Sequence, residues 1–200
     1  MATDRWHTFD LRVAAERDAA QVAAIYAPFV QDTHTSFEAA APDEAEMARR
    51  IRETLRTHPW LVADRTGEVL GYACATSHRS RAAYRWSVET TVYVKAGLRR
   101  CGVGRSLYGA LLGVLELQGF RMAYAGIALP NEASVGLHEA LGFEPVGMYR
   151  AAGFKHGRWH DVGWWQRAVG TPNPQPEPPR AFADMQASEA VREVLTRYSR

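Results

Sequence analysis

A glycine-containing loop between a strand and a helix is the feature that most constrains this chain. Residues 99–112 read RRCGVGRSLYGALL, and they follow the β-branched and aromatic run WSVETTVYVK. Glycines just before a helix let backbone N–H groups approach a negative group, and the helix N-terminus adds about half a unit of positive charge. The loop therefore predicts a site for a mononucleotide, a dinucleotide or a cofactor that ends in a pyrophosphate.

Two common phosphate-binding patterns do not fit this loop. A Walker loop needs a lysine where this chain has Val103, and a dinucleotide fingerprint needs a third glycine where it has Leu107. The pattern that remains is R-x-x-G-x-G, from Arg99 to Gly104. An ordinary glycine-rich turn at the start of a helix is compatible with the same six residues.

Hydrophobic periodicity predicts the element order β-α-α-β-β-β-α-β-α-β-β, which is an α/β (α+β) fold. Asp43 and Asn131 are predicted N-caps, because polar side chains that accept from backbone N–H groups favour helix starts. The helix after the glycine loop is predicted from Val103 to Leu117, and the last two strands turn at His156–Gly157. The result is a mixed sheet with helices on both faces.

The chain is predicted to form one domain over residues 1–170. A Pro-rich linker, TPNPQPEPP, is expected within residues 171–180. Residues 181–200 could form one short amphipathic helix or a frayed tail, and the sequence leaves these alternatives open.

Composition excludes several classes of protein. A formal charge of +2 is too small to favour nucleic-acid binding. No apolar run is long enough for a membrane span, and the start of the chain does not resemble a signal peptide. With Cys74 and Cys101 as its two cysteines, the chain is expected to lack a disulfide framework and to be cytoplasmic. His156 and His160 flank Gly157 without a third ligand at a suitable spacing, so we expect no metal.

The glycine loop resembles motif A of the GNAT superfamily of N-acetyltransferases, whose loop binds the pyrophosphate of coenzyme A. The later segment NEASVGLHEALGF is similar to that superfamily's N-x-x-[AS]-x-x-x-Y-x-x-x-G-F pattern. The resemblance implies a GNAT-like, mostly antiparallel sheet, acetyl-CoA as co-substrate and a strand that pairs with its pantetheine arm. The coenzyme-binding residues implied in this way are Val92, Tyr93, Val94, Arg99, Arg100, Cys101, Gly102, Val103, Gly104, Arg105, Asn131 and Ser134.

Three stretches resemble a narrower branch, the phosphinothricin N-acetyltransferases. They are TSFE at 35–38, RAAYRWSVETTVYV at 81–94 and HEALGFEPVGMYRAAGFKHGRWHDVGWWQ at 138–166. This resemblance implies transfer of an acetyl group to the amine of a small amino acid, by direct attack in a ternary complex. Phosphinothricin, methionine sulfoximine and methionine sulfone are the acceptors that it implies.

The resemblance also implies roles for particular side chains. Glu89 matches the proposed base, and alternation along the strand places it on the face of Thr91 and Tyr93. His138 stands where the superfamily often has a thiolate-protonating tyrosine, so we expect it to protonate the thiolate or relay a proton. The implied acceptor-binding residues are Phe37, Arg81, Tyr84, Arg85, Lys155 and Val162, with the last two completing a pocket across a homodimer interface.

Two other functions stay open from the residues alone. The acceptor could be another small amine or a protein amine, although a polyamine needs an acidic pocket and the region around Arg81 is basic. A non-catalytic acyl-CoA-binding module is the other alternative. Loss of the residues equivalent to Glu89 or Asn131 would indicate such a module, and both are present.

Overall fold

The structure is a computed structural model that describes residues 8–98 and 100–200. Arg99, one of the predicted coenzyme-binding residues, lies outside the described residues. The strands are β1 (Asp10–Val13), β2 (Trp60–Arg65), β3 (Glu68–Ser77), β4 (Ser87–Val94), β5 (Met122–Ala128), β6 (Glu144–Lys155) and β7 (Arg158–Ala168). The α-helices are α1 (Ala19–Gln31), α2 (Glu44–Leu55), α3 (Val103–Gln118), α4 (Glu132–Ala140) and α5 (Glu189–Tyr198).

The strands of the described residues form one seven-stranded sheet in the order β1-β2-β3-β4-β5-β7-β6. Every neighbouring pair is antiparallel except β4 and β5, which run parallel. The predicted fold class, a mixed and mostly antiparallel sheet with helices on both faces, is confirmed.

The parallel pair parts soon after it forms. β4 and β5 are in register over Ser87–Glu89 and Met122–Tyr124. Beyond Glu89, β4 continues alongside β3 and β5 continues alongside β7. A wedge therefore opens between the last five residues of β4 and the second half of β5. The edge of β4 that faces the wedge carries backbone donors and acceptors available for an added strand.

Helices cover the sheet on both faces. One core cluster joins α3 and α5 to the strands, with Tyr108, Leu111 and Phe182 fully buried. The other cluster joins α1 and α2 to β2 and β3, around Met47 and Ile51. Successive strand residues point to opposite faces, so each strand that crosses the sheet centre contributes side chains to both clusters.

Local polar groups fix the helix boundaries as predicted. Oδ1 of Asp43 accepts a hydrogen bond of 2.8 Å from Glu46 N–H at the start of α2. Oδ1 of Asn131 accepts one of 3.2 Å from Ser134 N–H at the start of α4. The helix α3 ends at Gly119, which has a φ of +92°, a left-handed conformation that favours glycine.

Residues after β7 return to the domain. Phe182 is buried in the core, and α5 lies across α3 with Val191, Val194 and Leu195 buried. None of the helices in residues 8–98 and 100–200 is long and apolar enough to cross a membrane.

Candidate active site

Glu89 lies where β4 parts from β5, as the last β4 residue in register with that strand. Its Oε1 accepts a hydrogen bond of 3.0 Å from Nδ1 of His78, and Nη1 of Arg79 lies 3.5 Å from the same oxygen. The side chain of Glu89 is 33% exposed, so the carboxylate is held by the protein and still reachable from solvent. This combination suits a group that exchanges protons with a bound molecule.

Aromatic rings fix the orientation of His78. Its ring stacks on Tyr124 at 4.4 Å between centroids and an interplanar angle of 18°. Tyr84 and Trp164 contact it edge-on at 5.9 and 6.1 Å. Neither His78 nor Trp164 was among the site residues predicted from the sequence. The usable signal for His78 was its position directly after β3, in the hairpin that returns to Glu89.

The predicted acceptor-binding residues Arg81, Tyr84 and Arg85 lie between β3 and β4, around a 3₁₀ turn at Ala82–Tyr84. All three are exposed. Tyr84 is brought against His78, as described above. The guanidinium of Arg85 instead lies over the ring of Trp86 at 5.5 Å, and its Nε donates to the carbonyl of Ala82. Tyr84 therefore lies against His78, whereas the Arg85 side chain contacts residues of its own segment.

A single face of the sheet connects Glu89 with Val162, the predicted acceptor-binding residue of β7. Glu89 is in register with Tyr124, while Gly126 and Ala128 of the same strand are in register with Trp164 and Val162. Residues paired in register point to the same face, so these side chains form one continuous surface. A Cβ atom at Gly126 would lie 3.2 Å from the ring of Trp164, which therefore covers that glycine.

Lys155 holds a loop rather than an open pocket. Its Nζ donates to the carbonyl oxygens of Val30 (2.5 Å), Ser36 (2.6 Å) and Glu38 (3.1 Å). These three bonds use the three N–H donors of an ammonium group. The same loop carries Phe37, which is 42% exposed, so Lys155 positions the predicted acceptor-contacting ring. Its charge is taken up by backbone carbonyls.

The Phe37 ring lies on the second half of the same surface. A Cβ atom at Gly153 would lie 2.7 Å from its Cδ2, so the ring packs directly on the β6 backbone. His160 of β7 lies 6.2 Å from the Phe37 ring and stacks on His34 at 4.4 Å. Phe37 and Val162 therefore border the region that begins at Glu89.

His138 is buried in a chain of hydrogen bonds. Its Nδ1 donates to the carbonyl of Ser134 at 2.7 Å, and its Nε2 lies 2.7 Å from the Tyr108 hydroxyl. That hydroxyl is 2.9 Å from Oγ1 of Thr90, which donates to the carbonyl of Tyr124 at 3.2 Å. Burial lowers the pKa of His138, which favours the neutral ring. Both ring nitrogens contact protein groups, and the chain ends at the backbone carbonyl of Tyr124, on the face of the sheet opposite to the Glu89 side chain.

The predicted coenzyme loop has the backbone that a phosphate site needs. Arg100 and Gly102 have φ values of +66° and +82°, and Gly102 is the N-cap residue of α3. A Cβ atom at Gly104 would lie 3.4 Å from Cδ2 of Leu137 and 3.6 Å from Cγ2 of Val94, which are ordinary contacts. The protein itself therefore has room for a side chain at position 104.

Other predicted coenzyme-binding residues lie around this loop. Val103, the first residue of α3, is buried, and Cys101 is partly buried. Arg105 is exposed, with its Nη2 3.4 Å from the carbonyl of Ala140 at the end of α4. On β4, Val92, Tyr93 and Val94 border the wedge, and at the start of α4 Asn131 and Ser134 form the helix cap. The structure thus brings β4, the loop and α4 together.

The described residues contain no candidate set of metal ligands. No group of three or more His, Cys, Asp or Glu side chains is placed there to hold an ion. The stacked pair His34 and His160 is therefore an aromatic contact in this structure.

Comparison with known proteins identifies relatives of this chain. Residues 11–164 match the acetyltransferase (GNAT) domain family. The chain is 43% identical over 171 residues to a phosphinothricin N-acetyltransferase of Streptomyces viridochromogenes, covering 86% of this chain and 93% of that protein. It is 37% identical over 158 residues to an L-methionine sulfoximine/L-methionine sulfone acetyltransferase of Pseudomonas aeruginosa, covering 78% and 92%.

A solved structure shows the same architecture. The GNAT superfamily phosphinothricin acetyltransferase of Sinorhizobium meliloti, in complex with AcCoA, superposes with a TM-score of 0.80 at 37% identity. The match covers 88% of this chain and 98% of that one.

Proposed function

The chain belongs to the GNAT acetyltransferase family and is an acetyl-CoA-dependent N-acetyltransferase, and from this premise we propose that it acetylates the amine of a small amino acid. Phosphinothricin, methionine sulfoximine and methionine sulfone are the acceptors we propose, because relatives that cover most of the chain act on them by name. The observation that carries the proposal is the position of Glu89, held by His78 where β4 parts from β5.

We propose that acetyl-CoA enters the wedge between β4 and β5. Its amide-containing arm would pair with the edge of β4 at Val92–Val94, as an added strand does. Its pyrophosphate would meet the N–H groups at the start of α3, where neither Gly102 nor Gly104 has a side chain of its own to block the approach. Arg100 and Arg105 supply positive charge there.

Glu89 acts as the base in this proposal. Amines of amino acids are mostly protonated at neutral pH, so a proton must leave before the nitrogen can attack the acetyl carbonyl. Glu89 accepts that proton, directly or through one water, while His78 holds the carboxylate in place. A well-placed base contributes about 10²- to 10⁴-fold in rate. Transfer is then direct, in a ternary complex.

The leaving thiolate needs a proton. His138 has no ring nitrogen left to contact the thiolate directly. We propose that a proton released by the amine reaches the thiolate through water, and that the buried chain of His138, Tyr108 and Thr90 holds the backbone of β4 and β5 in place, since both nitrogens of His138 already contact protein atoms. The ring positions the chain rather than meeting the sulfur. The Oδ1 atom of Asn131 caps α4, and we propose that the NH₂ group of the same side chain contacts the coenzyme arm.

Arginines beside Glu89 suit an acceptor with negative groups. Arg79 lies against the carboxylate, and Arg81 is exposed on the same connection. Guanidinium groups bind carboxylate and tetrahedral oxyanion groups in pairs of hydrogen bonds. Phe37 and Val162 offer apolar contacts for the methylene chain of the acceptor. A polyamine would meet repulsion at the same place, which weighs against that acceptor class.

The outer strand β6 supports a proposal about assembly and location. Its exposed apolar side chains include Val146, Met148 and Tyr149, and β6 forms one edge of the sheet. We propose that a second copy of the chain covers this edge, in a cytoplasmic homodimer. Light scattering on the purified protein measures the mass, and a monomer at micromolar concentration would contradict the dimer.

Release of free CoA thiol from acetyl-CoA tests the proposed reaction. We expect phosphinothricin, methionine sulfoximine and methionine sulfone to react well above plain methionine, and spermidine not to react. Turnover with spermidine alone would refute the acceptor assignment. Binding of CoA without turnover on any amine would instead indicate a non-catalytic acyl-CoA-binding module.

A substitution at Glu89 tests the role of the base. We expect Glu89→Gln to lower kcat by about 10²-fold or more with a small change in KM, because the amide cannot accept the proton. Glu116→Gln, an exposed glutamate of α3, is the matched control and should leave kcat unchanged. Equal kcat for wild type and Glu89→Gln would exclude Glu89 as the base.

A further inference from the structure

The segment from Ala181 to Arg200 lies beyond the matched family domain, which ends at residue 164, and yet it packs beside the coenzyme loop. α5 crosses α3 at two glycines. A Cβ atom at Gly109 would lie 2.7 Å from Cδ1 of Tyr198, and one at Gly113 would lie 3.0 Å from Cγ1 of Val194. The two helices therefore approach closely, and α5 runs along the helix whose first turn forms the proposed phosphate site.

Hydrogen bonds fix the residues that follow α5. Phe9 N–H donates to the Arg200 carbonyl at 2.7 Å, and Arg200 N–H donates to the Phe9 carbonyl at 2.8 Å. Leu11 N–H donates to Oγ of Ser199 at 2.8 Å. Phe9 is itself buried in the core, so the backbone of Arg200 has an anchored position.

The side chain of Arg200 reaches from this anchor to the coenzyme loop. A Cβ atom at Gly102 would lie 2.7 Å from Cζ of Arg200 and 3.1 Å from its Nη2, so the guanidinium lies directly on this glycine. Arg200 is exposed to solvent. Within residues 8–98 and 100–200, its guanidinium has no hydrogen-bonding or ion-pair partner. Its donors are therefore available to a molecule bound at the start of α3.

We propose that Arg200 binds a phosphate group of acetyl-CoA and is a coenzyme-specificity residue supplied from outside the family domain. The proposal rests on the proposed function, because the loop must hold the coenzyme. A guanidinium presents paired donors that match phosphate oxygens, and its charge adds to those of Arg100 and Arg105. The pyrophosphate and the 3′-phosphate share this chemistry, and the test separates them.

Binding of CoA to the full chain, measured by titration calorimetry, is the first readout. We expect Arg200→Ala to raise Kd for CoA about 10-fold and Arg200→Lys to raise it less, since lysine keeps the charge without the paired donors. Arg197→Ala removes an exposed arginine of α5 and is the matched control, with Kd expected within about twofold of wild type. Unchanged thermal unfolding in all three variants excludes a general loss of folding.

Titration with 3′-dephospho-CoA identifies the phosphate. If the loss in Arg200→Ala persists with this compound, Arg200 binds the pyrophosphate; if the loss disappears, Arg200 binds the 3′-phosphate. Equal Kd values for wild type and Arg200→Ala overturn the proposal, and so does tighter binding by the variant, which would mean that Arg200 obstructs the loop. A wild-type chain that fails to bind CoA overturns the proposed function as well, whereas equal affinities overturn the role of Arg200 alone.

Discussion

Replacing Gly104 by alanine separates what the coenzyme needs from what the fold needs. Gly104 is the second residue of α3, and an added Cβ would meet Leu137 and Val94 at 3.4 and 3.6 Å, which are ordinary contacts. Alanine is favoured over glycine in helices by up to about 1 kcal/mol. For a chain of this size, we expect Gly104→Ala to unfold at a temperature higher by up to about 4 °C.

Coenzyme binding should respond in the opposite direction. A methyl group at position 104 would hold a phosphate away from the N–H groups of the first turn. Loss of one hydrogen bond to a charged group costs roughly 1.5–3 kcal/mol, which corresponds to a KM for acetyl-CoA higher by about 10- to 150-fold. The acceptor KM should stay near the wild-type value, because Glu89 and Trp164 lie on the other face of the sheet from α3.

Steady-state kinetics with acetyl-CoA varied, together with differential scanning calorimetry, measure both effects on one preparation. Gly136→Ala is the matched control for stability, since a Cβ at that position of α4 meets no atom within 4 Å. It should raise the unfolding temperature similarly and leave the KM for acetyl-CoA unchanged. A Gly104→Ala enzyme with wild-type KM would refute the assignment of this loop to the pyrophosphate.

Two further substitutions test buried polar groups. Burial raises the pKa of Asp18, but the hydrogen bonds from Arg12 and from Ala15 N–H, together with the charge of Arg12, outweigh burial and lower the pKa in the folded state; Asp18→Asn should cost about 2 kcal/mol at pH 7. Because a lowered pKa stabilises the fold above the ordinary Asp value of about 3.9, urea titrations should show this difference shrinking as the pH falls below about 4, and a constant difference would contradict the assignment. Tyr108→Phe breaks the chain between His138 and Thr90, so we expect kcat to fall about 10-fold while the KM for acetyl-CoA is unchanged. A lower unfolding temperature with wild-type kcat would make the chain purely structural.

The fold was predictable because its signals are local. The caps at Asp43 and Asn131 each depend on a polar side chain three residues before the N–H group it binds. The run before the glycine loop has the residue types of a strand, and the loop is followed by helical periodicity. Each of these features is decided within a few residues of sequence, so the order of elements followed from reading along the chain.

The surroundings of the site depend on contacts between distant residues. His78 contacts Glu89 because the connection between β3 and β4 places them together. The stacking of His78 on Tyr124 depends on the parallel pairing of β4 with β5, in which Glu89 is in register with a residue 35 positions later. Lys155 was predicted to contact the acceptor, but its ammonium group donates to three carbonyls, from the end of α1 and the loop after it, more than a hundred residues earlier. A lysine at this position suggested a positive charge in the acceptor pocket, but the partners of its ammonium group depend on tertiary contacts that the local sequence does not show.

The parting of β4 from β5 explains the relative positions of the proposed base and the proposed phosphate loop. Val94, the end of β4, is five positions after Glu89, which is about 17 Å of extended strand. A molecule that pairs with this edge must therefore have its anionic end about that far from its reacting group. Cys101 lies in the loop beyond Val94, at the anionic end, so its thiol is far from the acetyl group. This separation favours direct attack by the amine over transfer through an acyl-cysteine.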